Sequence, residues 1–562
     1  MENNRRGFLK KVGAMSAGAA LVSANPLLVI ANEASDSITN EVNKGEFTLS
    51  ILQTTDVHCQ VHPHDELFWE NDQAVFRKTG GYANLATYLR KEKKRNPNTF
   101  IIDTGDMFQG SELSVKTTGK AMVPVLNELG YDLYLPGNWE VIYHKKAMQT
   151  LLGALNAPKV CANMYHDLGN GKRGELIFQP YHIWNIGGVK IGFLGYTDPL
   201  VPIRQSPGYS KGIIYTKPEE NLAHYIDVLR NQEQCAYVLL LSHLGLSQQI
   251  HLANLPECEG VDYILGGDTH ERVRQPIQCT YSKVVEPGAF GSFVGKLELR
   301  IKDGKVIQDT YSLVEIDSKK YKADKEISKL IEIHEEPFED DINHIAGYST
   351  LPLYRYFVIE NTIDTLILDA LKWKIKEADI VLSNGFRFCP PNSTPDQTGN
   401  IPITNGYIFD MLPVDSVVRT GSVTGKQIFD WLEKELNNVF AKDASQRLGG
   451  WVIKFKGMKM SFKAFEENGR RVKDVEVNGI PLDLAKIYRI CACEREGDPE
   501  DMLCRMRGVV NPKNTTFTLH SVLKEYLSVN SPVSPGPPMS AKVLDAPQTL
   551  LTQVTGVDYQ FR

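Results

Sequence analysis

Hydrophobic positions fall into short β-rich runs that end abruptly in polar residues and alternate with segments of helical period. FTLSILQTTD (47–56) is apolar up to its polar end, GGYANLATYLRKEKKR (80–95) has apolar positions at helical spacing, and TFIIDTGD (99–106) is a short strand closing on carboxylates. AMVPVLNELG (121–130) predicts a helix and YDLYLPGN (131–138) a strand; KIGFLGYTD, YVLLLSHLG and VDYILGGDTH repeat the strand theme. Apolar β runs separated by helices predict an α/β architecture with helix-covered sheet. Polar residues collect at the strand ends, where such sheets place their ligands.

Around Tyr311 the rhythm changes, and DKEISKLIEIHEEPFEDDINHIAGYS (324–349) predicts a long charged helix and a connector. The chain of 562 residues exceeds one compact core. It divides into a first domain over 46–318, a helical linker over 319–350 and a second domain over 351–546. The second has its own helices, TLILDALKWKIKEA and TGKQIFDWLEKELNNVF, its own strand DIVLSNGF, and a surface loop in VNSPVSPGPP.

Composition is that of an ordinary globular protein, and a formal net charge of −6 gives no electrostatic reason to expect nucleic acid. KEKKR (91–95) reads as the solvated end of a helix that begins near Tyr82. Residues 1–33 read as an address: Arg5 and Arg6 precede Phe8, Leu9 and Lys10, and a weakly apolar run of small residues follows, the pattern of a twin-arginine export signal. The expectation is a periplasmic protein, monomeric and free of the membrane after export. Odd parity of the nine cysteines leaves at least one thiol unpaired within the chain, and Cys491 and Cys493 read as buried strand residues.

Five strand ends carry oxygen and nitrogen donors in order: TTDVHCQ, DTGDMFQG, PGNWE, LSHLG and GGDTHE. Two residues apart on an extended chain, Asp56 and His58 project to one side, and Asp268 with His270 repeats that spacing. Asp106 has two oxygens with which to bridge cations, Asn138 an amide oxygen and His243 an imidazole. Carboxylate, amide and imidazole donors without thiolates suit manganese, iron or zinc.

Asp56-x-His58, Gly105-Asp106, Gly137-Asn138, Ser242-His243 and Gly267-Asp268-x-His270 together resemble the calcineurin-like metallophosphoesterase half of the 5′-nucleotidase family. The resemblance implies a four-layer α/β/β/α first domain and an α+β second domain of 5′-nucleotidase C-terminal type. It also implies two divalent metal ions, one on Asp56, His58, Asp106 and His270, the other on Asp106, Asn138, His243 and Asp268. In the second domain SNGFRFC resembles the family's substrate loop, which makes Arg387 the candidate anion clamp and gives Asn384 and Gly385 the task of shaping that loop.

Three positions depart from the nucleotidase pattern. Trp139 replaces the histidine after the metal-ligating asparagine, Asp268 replaces the first histidine of Gly-His-x-His, and EREGDPEDM (494–502) replaces a Gly-Gly-Asp-Gly-aromatic segment. Indole cannot protonate a leaving alkoxide. A sulfur leaving group, whose conjugate acid is far stronger than an alcohol, needs no such help.

Asn-Trp-Glu at this place is similar to the SoxB-type thiosulfohydrolases, a sulfur-oxidising branch of the family. That similarity implies a dimanganese enzyme, with the metal donors and Arg387 as its catalytic residues, that releases sulfate from a cysteine S-thiosulfonate on a SoxYZ-like carrier. Trp139 would wall the substrate pocket and Glu140 fix the turn. His62, His64 and Glu70 lie in an insertion that also resembles this branch, the histidines as ordinary loop residues ahead of ligands. The alternatives are a 5′-nucleotidase or other phosphomonoesterase that has found another acid, and a metal-bearing binding protein without turnover.

Overall fold

The computed structural model describes residues 45–383 and 389–550. The twin-arginine segment, and Asn384, Gly385 and Arg387 of the substrate loop, lie outside the described residues.

Two large sheets form the core of the first half. One runs, edge to edge, through Lys305–Glu315, Phe293–Lys302, Phe47–Thr54, Thr99–Asp103 and Leu133–Tyr134; the other runs through Ile277–Gln278, Lys283–Val285, Tyr263–Leu265, Tyr237–His243, Val189–Thr197 and Tyr181–Ile186. Their inner faces share one core, in which Leu49, Ile51 and Ile102 meet Leu239, Leu241 and Ile264. Phe100 stacks on Trp184 across the two sheets, ring centroids 3.9 Å apart. Helices including Tyr82–Arg95 and Met122–Leu129 accompany the first sheet, and Leu246–Ala253 packs on the second, completing an α/β/β/α stack.

Pairing direction is what builds the site. Phe47–Thr54 runs parallel to Thr99–Asp103, which runs parallel to Leu133–Tyr134. Tyr237–His243 lies parallel to both Val189–Thr197 and Tyr263–Leu265. Parallel strands end on the same side, so the residues that follow all five donor-bearing strands emerge along one edge of the stack.

KEKKR closes the helix Tyr82–Arg95, where Lys93 faces Asp132 and Arg95 faces Glu92 and Glu298. Basic groups there also complement the negative end of the helix. The segment 324–349 is not one long helix: Lys325–Glu335 stops at Pro337, a short turn follows at Glu339–Ile342, and Ile345–Ser349 is a strand paired with Ile401–Thr404. Proline lacks the N–H that would continue the helix.

The second half contains a five-stranded sheet, ordered Lys454–Lys456, Ile380–Ser383, Ile487–Cys493, Val417–Thr424 and Val510–Thr518, and a four-stranded sheet around Met458–Phe462. The helix Gly425–Phe440 starts on a capping box: Thr424 Oγ1 accepts from the N–H of Gln427, whose side chain accepts from the N–H of Thr424. All nine cysteines are unpaired, with Cys491 buried and Cys493 half-buried in the strand Ile487–Cys493.

The insertion after the first strand folds as a hairpin, His64–Glu70 against Gln73–Thr79, turned by Asn71 and Asp72, both at positive φ. It ties the halves together. Buried Glu66 accepts from Arg272 of the first half and, at 2.6 Å, from the Tyr356 hydroxyl of the second, while Asp65 accepts from Ser393 and Thr394.

Candidate metal centre

The side chain of every strand-end donor is buried, and five of them, Asp56, His58, Asp106, Asp268 and His270, have positive φ between 50° and 90°. Left-handed backbone at non-glycine residues is sparsely populated and persists where surrounding structure enforces it. The neighbouring glycines make room for it: a Cβ on Gly105 would stand 2.5 Å from Gly137 Cα and 2.7 Å from His243 Nδ1. One on Gly137 would stand 2.3 Å from Asp106 Oδ1.

Outward hydrogen bonds aim the donors inward. His243 Nδ1 lies 2.6 Å from the Thr104 carbonyl and His58 Nδ1 2.9 Å from the Gln109 carbonyl, which leaves each Nε2 directed at the cluster. Asp56 Oδ2 accepts from Thr55 Oγ1 at 2.6 Å and from the Asp268 N–H at 3.0 Å. Its Oδ1 faces the Nε2 atoms of His270 at 3.4 Å, His243 at 3.8 Å and His58 at 3.9 Å. Asp106 Oδ1 takes the backbone N–H of Trp139 at 2.8 Å, and its Oδ2 lies 3.3 Å from His243 Nε2 and 3.7 Å from His58 Nε2.

Two buried triples thus converge, Asp56 with His58 and His270, and Asp56 with Asp106 and His243. Asp56 is common to both, while Asp106 Oδ2 stands between the two histidines that belong to different triples. Asp56 Oδ1 and His243 Nε2 are fully buried yet have no hydrogen-bond partner. Buried polar atoms aimed at one point without a donor or acceptor fit cations.

Electrostatics agree with the geometry. Burial opposes ionisation of Asp56, but the surrounding imidazoles of His243, His270 and His58 outweigh it and hold the carboxyl below its usual range. Burial also opposes charge on His243, yet Asp106 and Asp56 raise it well above the ordinary histidine value; His58 is pushed down, chiefly by burial. Carboxylates that pull a proton onto His243 form a site that a divalent cation can occupy in the proton's place.

The remaining two predicted donors are engaged differently. Asn138 turns its amide nitrogen to Asp268 Oδ1, and its oxygen accepts from Gln205 Nε2 at 2.9 Å. Asp268 lies 3.9 Å from His243 Nε2 but is gripped by Arg204, whose guanidinium reaches Oδ2 at 2.8 Å and Oδ1 at 3.0 Å. Glu140 accepts the N–H groups of Asp106, Met107 and Gly137, so it fixes the turn that carries the donors; burial, then Asp106, pushes its carboxyl up to about 8.

His62 pairs with Glu335, His64 lies 3.0 Å from Ser292 Oγ, and Glu70 pairs with Arg77 across its hairpin, all outside the donor cluster. Residues with no sequence signal complete the surroundings. Phe290 sets its ring edge-on to His270, centroids 5.2 Å apart, and its N–H donates to the Asp56 carbonyl. A cavity of about 90 Å³ beside Trp139 is lined by Arg204 and Tyr209 of the first half and by Arg355, Met411 and Arg495 of the second.

This fold and donor set define a class, the metal-dependent hydrolases built on a metallophosphoesterase domain. Residues 49–272 match the calcineurin-like phosphoesterase family and residues 343–494 the 5′-nucleotidase C-terminal domain, so the chain is a metallophosphoesterase/5′-nucleotidase family hydrolase, whose phosphoesterase domain type binds two divalent metals. It is similar to the 5′-nucleotidase of Vibrio cholerae, 23% identical across 87% of this chain and 91% of that one. It is 24% identical to the trifunctional nucleotide phosphoesterase YfkN of Bacillus subtilis over 81% of its own length, but spans only 32% of that protein. Among solved structures it superposes on the sulfate thiohydrolase SoxB of Thermus thermophilus with a TM-score of 0.79 at 22% identity, covering 90% of this chain and 98% of that one. A 5′-nucleotidase precursor from the same organism superposes at 0.76, also at 22% identity, covering 89% and 100%. At such identity the superpositions establish fold.

Proposed function

We propose that this protein is an exported dimanganese thiosulfohydrolase, which releases sulfate from a cysteine S-thiosulfonate carried on a SoxYZ-like protein in the periplasm. The observation that carries this reading is the pairing of a converged donor set with Trp139 where an acid-capable histidine would stand. When bound, a metal pair supplies Lewis acidity at the sulfonate oxygens and makes water acidic enough to attack at neutral pH.

The chain's own residues supply the rest. Asp56, His58, His270, Asp106 and His243 would hold the ions, and Glu140 keeps the turn of Asp106 and Asn138 in register. Trp139, 6% exposed, keeps water from one wall of the cavity. Arg387 is the proposed sulfonate clamp, because a guanidinium binds two oxygens in a fixed fork. Water adds its oxygen to the sulfonate sulfur, the sulfur–sulfur bond breaks, and the carrier's sulfur leaves as a persulfide anion that needs no proton at that moment. Among the described residues no helix is long and apolar enough to cross a membrane.

A nucleotidase reading is favoured by the names of the relatives, among them the Vibrio and snake-venom 5′-nucleotidases. Against it, Trp451, Phe462 and Phe465, three second-domain aromatics that could stack on a base, are not among the described residues that line the cavity. Trp451 and Phe462 are buried in the second-domain core. The deciding experiment supplies manganese and compares S-thiosulfonate carrier with AMP, reading sulfate against phosphate release. Phosphate release at comparable efficiency sinks the sulfur reading, and release of neither from a folded, metal-loaded protein points to a binding protein.

A further inference from the structure

The aspartate at 268 replaces a neutral imidazole donor with an anion, and the structure surrounds that anion in a specific way. Arg204 lies at the end of the short helix Val201–Arg204, which follows the strand Val189–Thr197. One arm of its guanidinium grips both oxygens of Asp268, and the other reaches Asp198 Oδ2 at 2.7 Å. Asp198 is itself fixed by the N–H of Leu200 at 2.8 Å. Both carboxylates are 3% exposed, so neither can discharge its field into solvent. The next residue, Gln205, donates to the oxygen of Asn138.

The same segment is held from the far side. Arg495, in the stretch that departs from the nucleotidase pattern, donates to the backbone carbonyls of Ile203 and Gln205. One strap, residues 198–205, therefore contacts both donors that the convergent triples leave out, and the second half of the molecule anchors it.

We propose that Arg204 is the positioning residue of the second metal position: it locks Asp268 in one orientation and screens it from Asp198, so that a carboxylate can serve where the family uses imidazole. This rests on the two-metal reading of the site. Removing the guanidinium leaves two buried carboxylates facing each other, and their repulsion swings Asp268 out of place. An imidazole at 268 has the opposite requirement, because it presents no anion for the guanidinium to pair with. Arg204 helps the native residue and hinders the family residue.

That reversal makes the test specific. Mn2+ is titrated calorimetrically into the chelator-stripped full chain, with metal content measured in parallel and far-ultraviolet circular dichroism used to check folding. The wild type is expected to take up two ions. R204M weakens the weaker ion about tenfold or more, the scale on which outer-layer partners act on metal affinity, and leaves the tighter one unchanged. R204K, which cannot fork, falls between. D268H alone also weakens the second ion, whereas R204M/D268H recovers wild-type affinity to within about threefold, a coupling that additive structural damage does not produce. Wild-type affinity at both positions in R204M, or a double variant as weak as the two single effects combined, overturns the proposal. A wild type that binds fewer than two ions instead removes the two-metal reading, and the proposal with it.

Discussion

The backbone N–H of Trp139 donates to Asp106 Oδ1 at 2.8 Å, so the residue that departs most visibly from the family pattern supports a metal donor through its main chain. Replacing the indole leaves that main-chain hydrogen bond in place. Trp139→His should leave metal content unchanged and raise phosphate release from AMP. A positioned general acid contributes about 10²–10⁴-fold, and the gain should fall at or below the low end because Val141 and Ile142 supply no carboxylate to orient the new ring. Steady-state phosphate release with parallel metal analysis checks this; loss of metal would show that the indole does hold the donors.

Removal of metal should destabilise the fold. Asp56 Oδ1 and His243 Nε2 are buried without hydrogen-bond partners, and a ligand that binds only the folded state stabilises by about 2.7 kcal/mol at a hundred times its dissociation constant. Chelation should therefore lower the calorimetric melting temperature, and added Mn2+ should restore it. Asp56→Asn should abolish most of that restoration, because Asp56 belongs to both convergent triples. A melting temperature indifferent to chelator in the wild type would count against a resident metal.

Much of this site was legible in the sequence because short apolar strands and their polar ends are local properties, and Asp56, His58, Asp106, His243 and His270 sit at those ends, although left-handed backbone at Asp56 and His58, not an extended chain, aims them. Arg204, Gln205 and Phe290 were not legible. They reach the donors from a short helix and a loop far along the chain, and nothing in TDPLVPIRQ or EPGAFG marks which residue will face the cluster. The break in segment 324–349 had a visible cause in Pro337, but the strand at Ile345–Ser349 depends on a partner more than fifty residues away.

Asp410 gives the stability of the molecule a pH dependence with a definite sign. Burial raises its carboxyl from 3.8 to about 7, against the opposing hydrogen bond from Gln60 Nε2 at 3.0 Å. Its folded value lies above its unfolded one, so the folded state binds more protons between those values. Its contribution is complete below about pH 4 and is lost as pH rises through 7. Asp410→Asn keeps the acceptor oxygen and cannot ionise. Relative to wild type, the variant should gain stability with rising pH by up to about 1.4 kcal/mol per pH unit over that window, measured by urea unfolding at fixed ionic strength. Parallel curves for the two proteins would refute the assignment.

The Glu66–Arg272–Tyr356 network predicts unequal costs for removing its two side-chain donors. Arg272 and Glu66 are each 1% exposed, and the guanidinium also lies over the rings of Phe293, Tyr356 and Phe68 at 4.6 to 5.3 Å. Arg272→Met keeps the apolar packing but leaves a buried carboxylate without its counter-ion, a loss of about 3–5 kcal/mol. Tyr356→Phe removes one hydrogen bond of 2.6 Å to a carboxylate that Arg272 still satisfies, a loss of about 1.5–3 kcal/mol. Because the network joins the two halves through the hairpin, the first substitution should also split a single unfolding transition into two, whereas the second should shift it whole. Equal destabilisation by the two substitutions would mean that the ion pair does not hold the halves together.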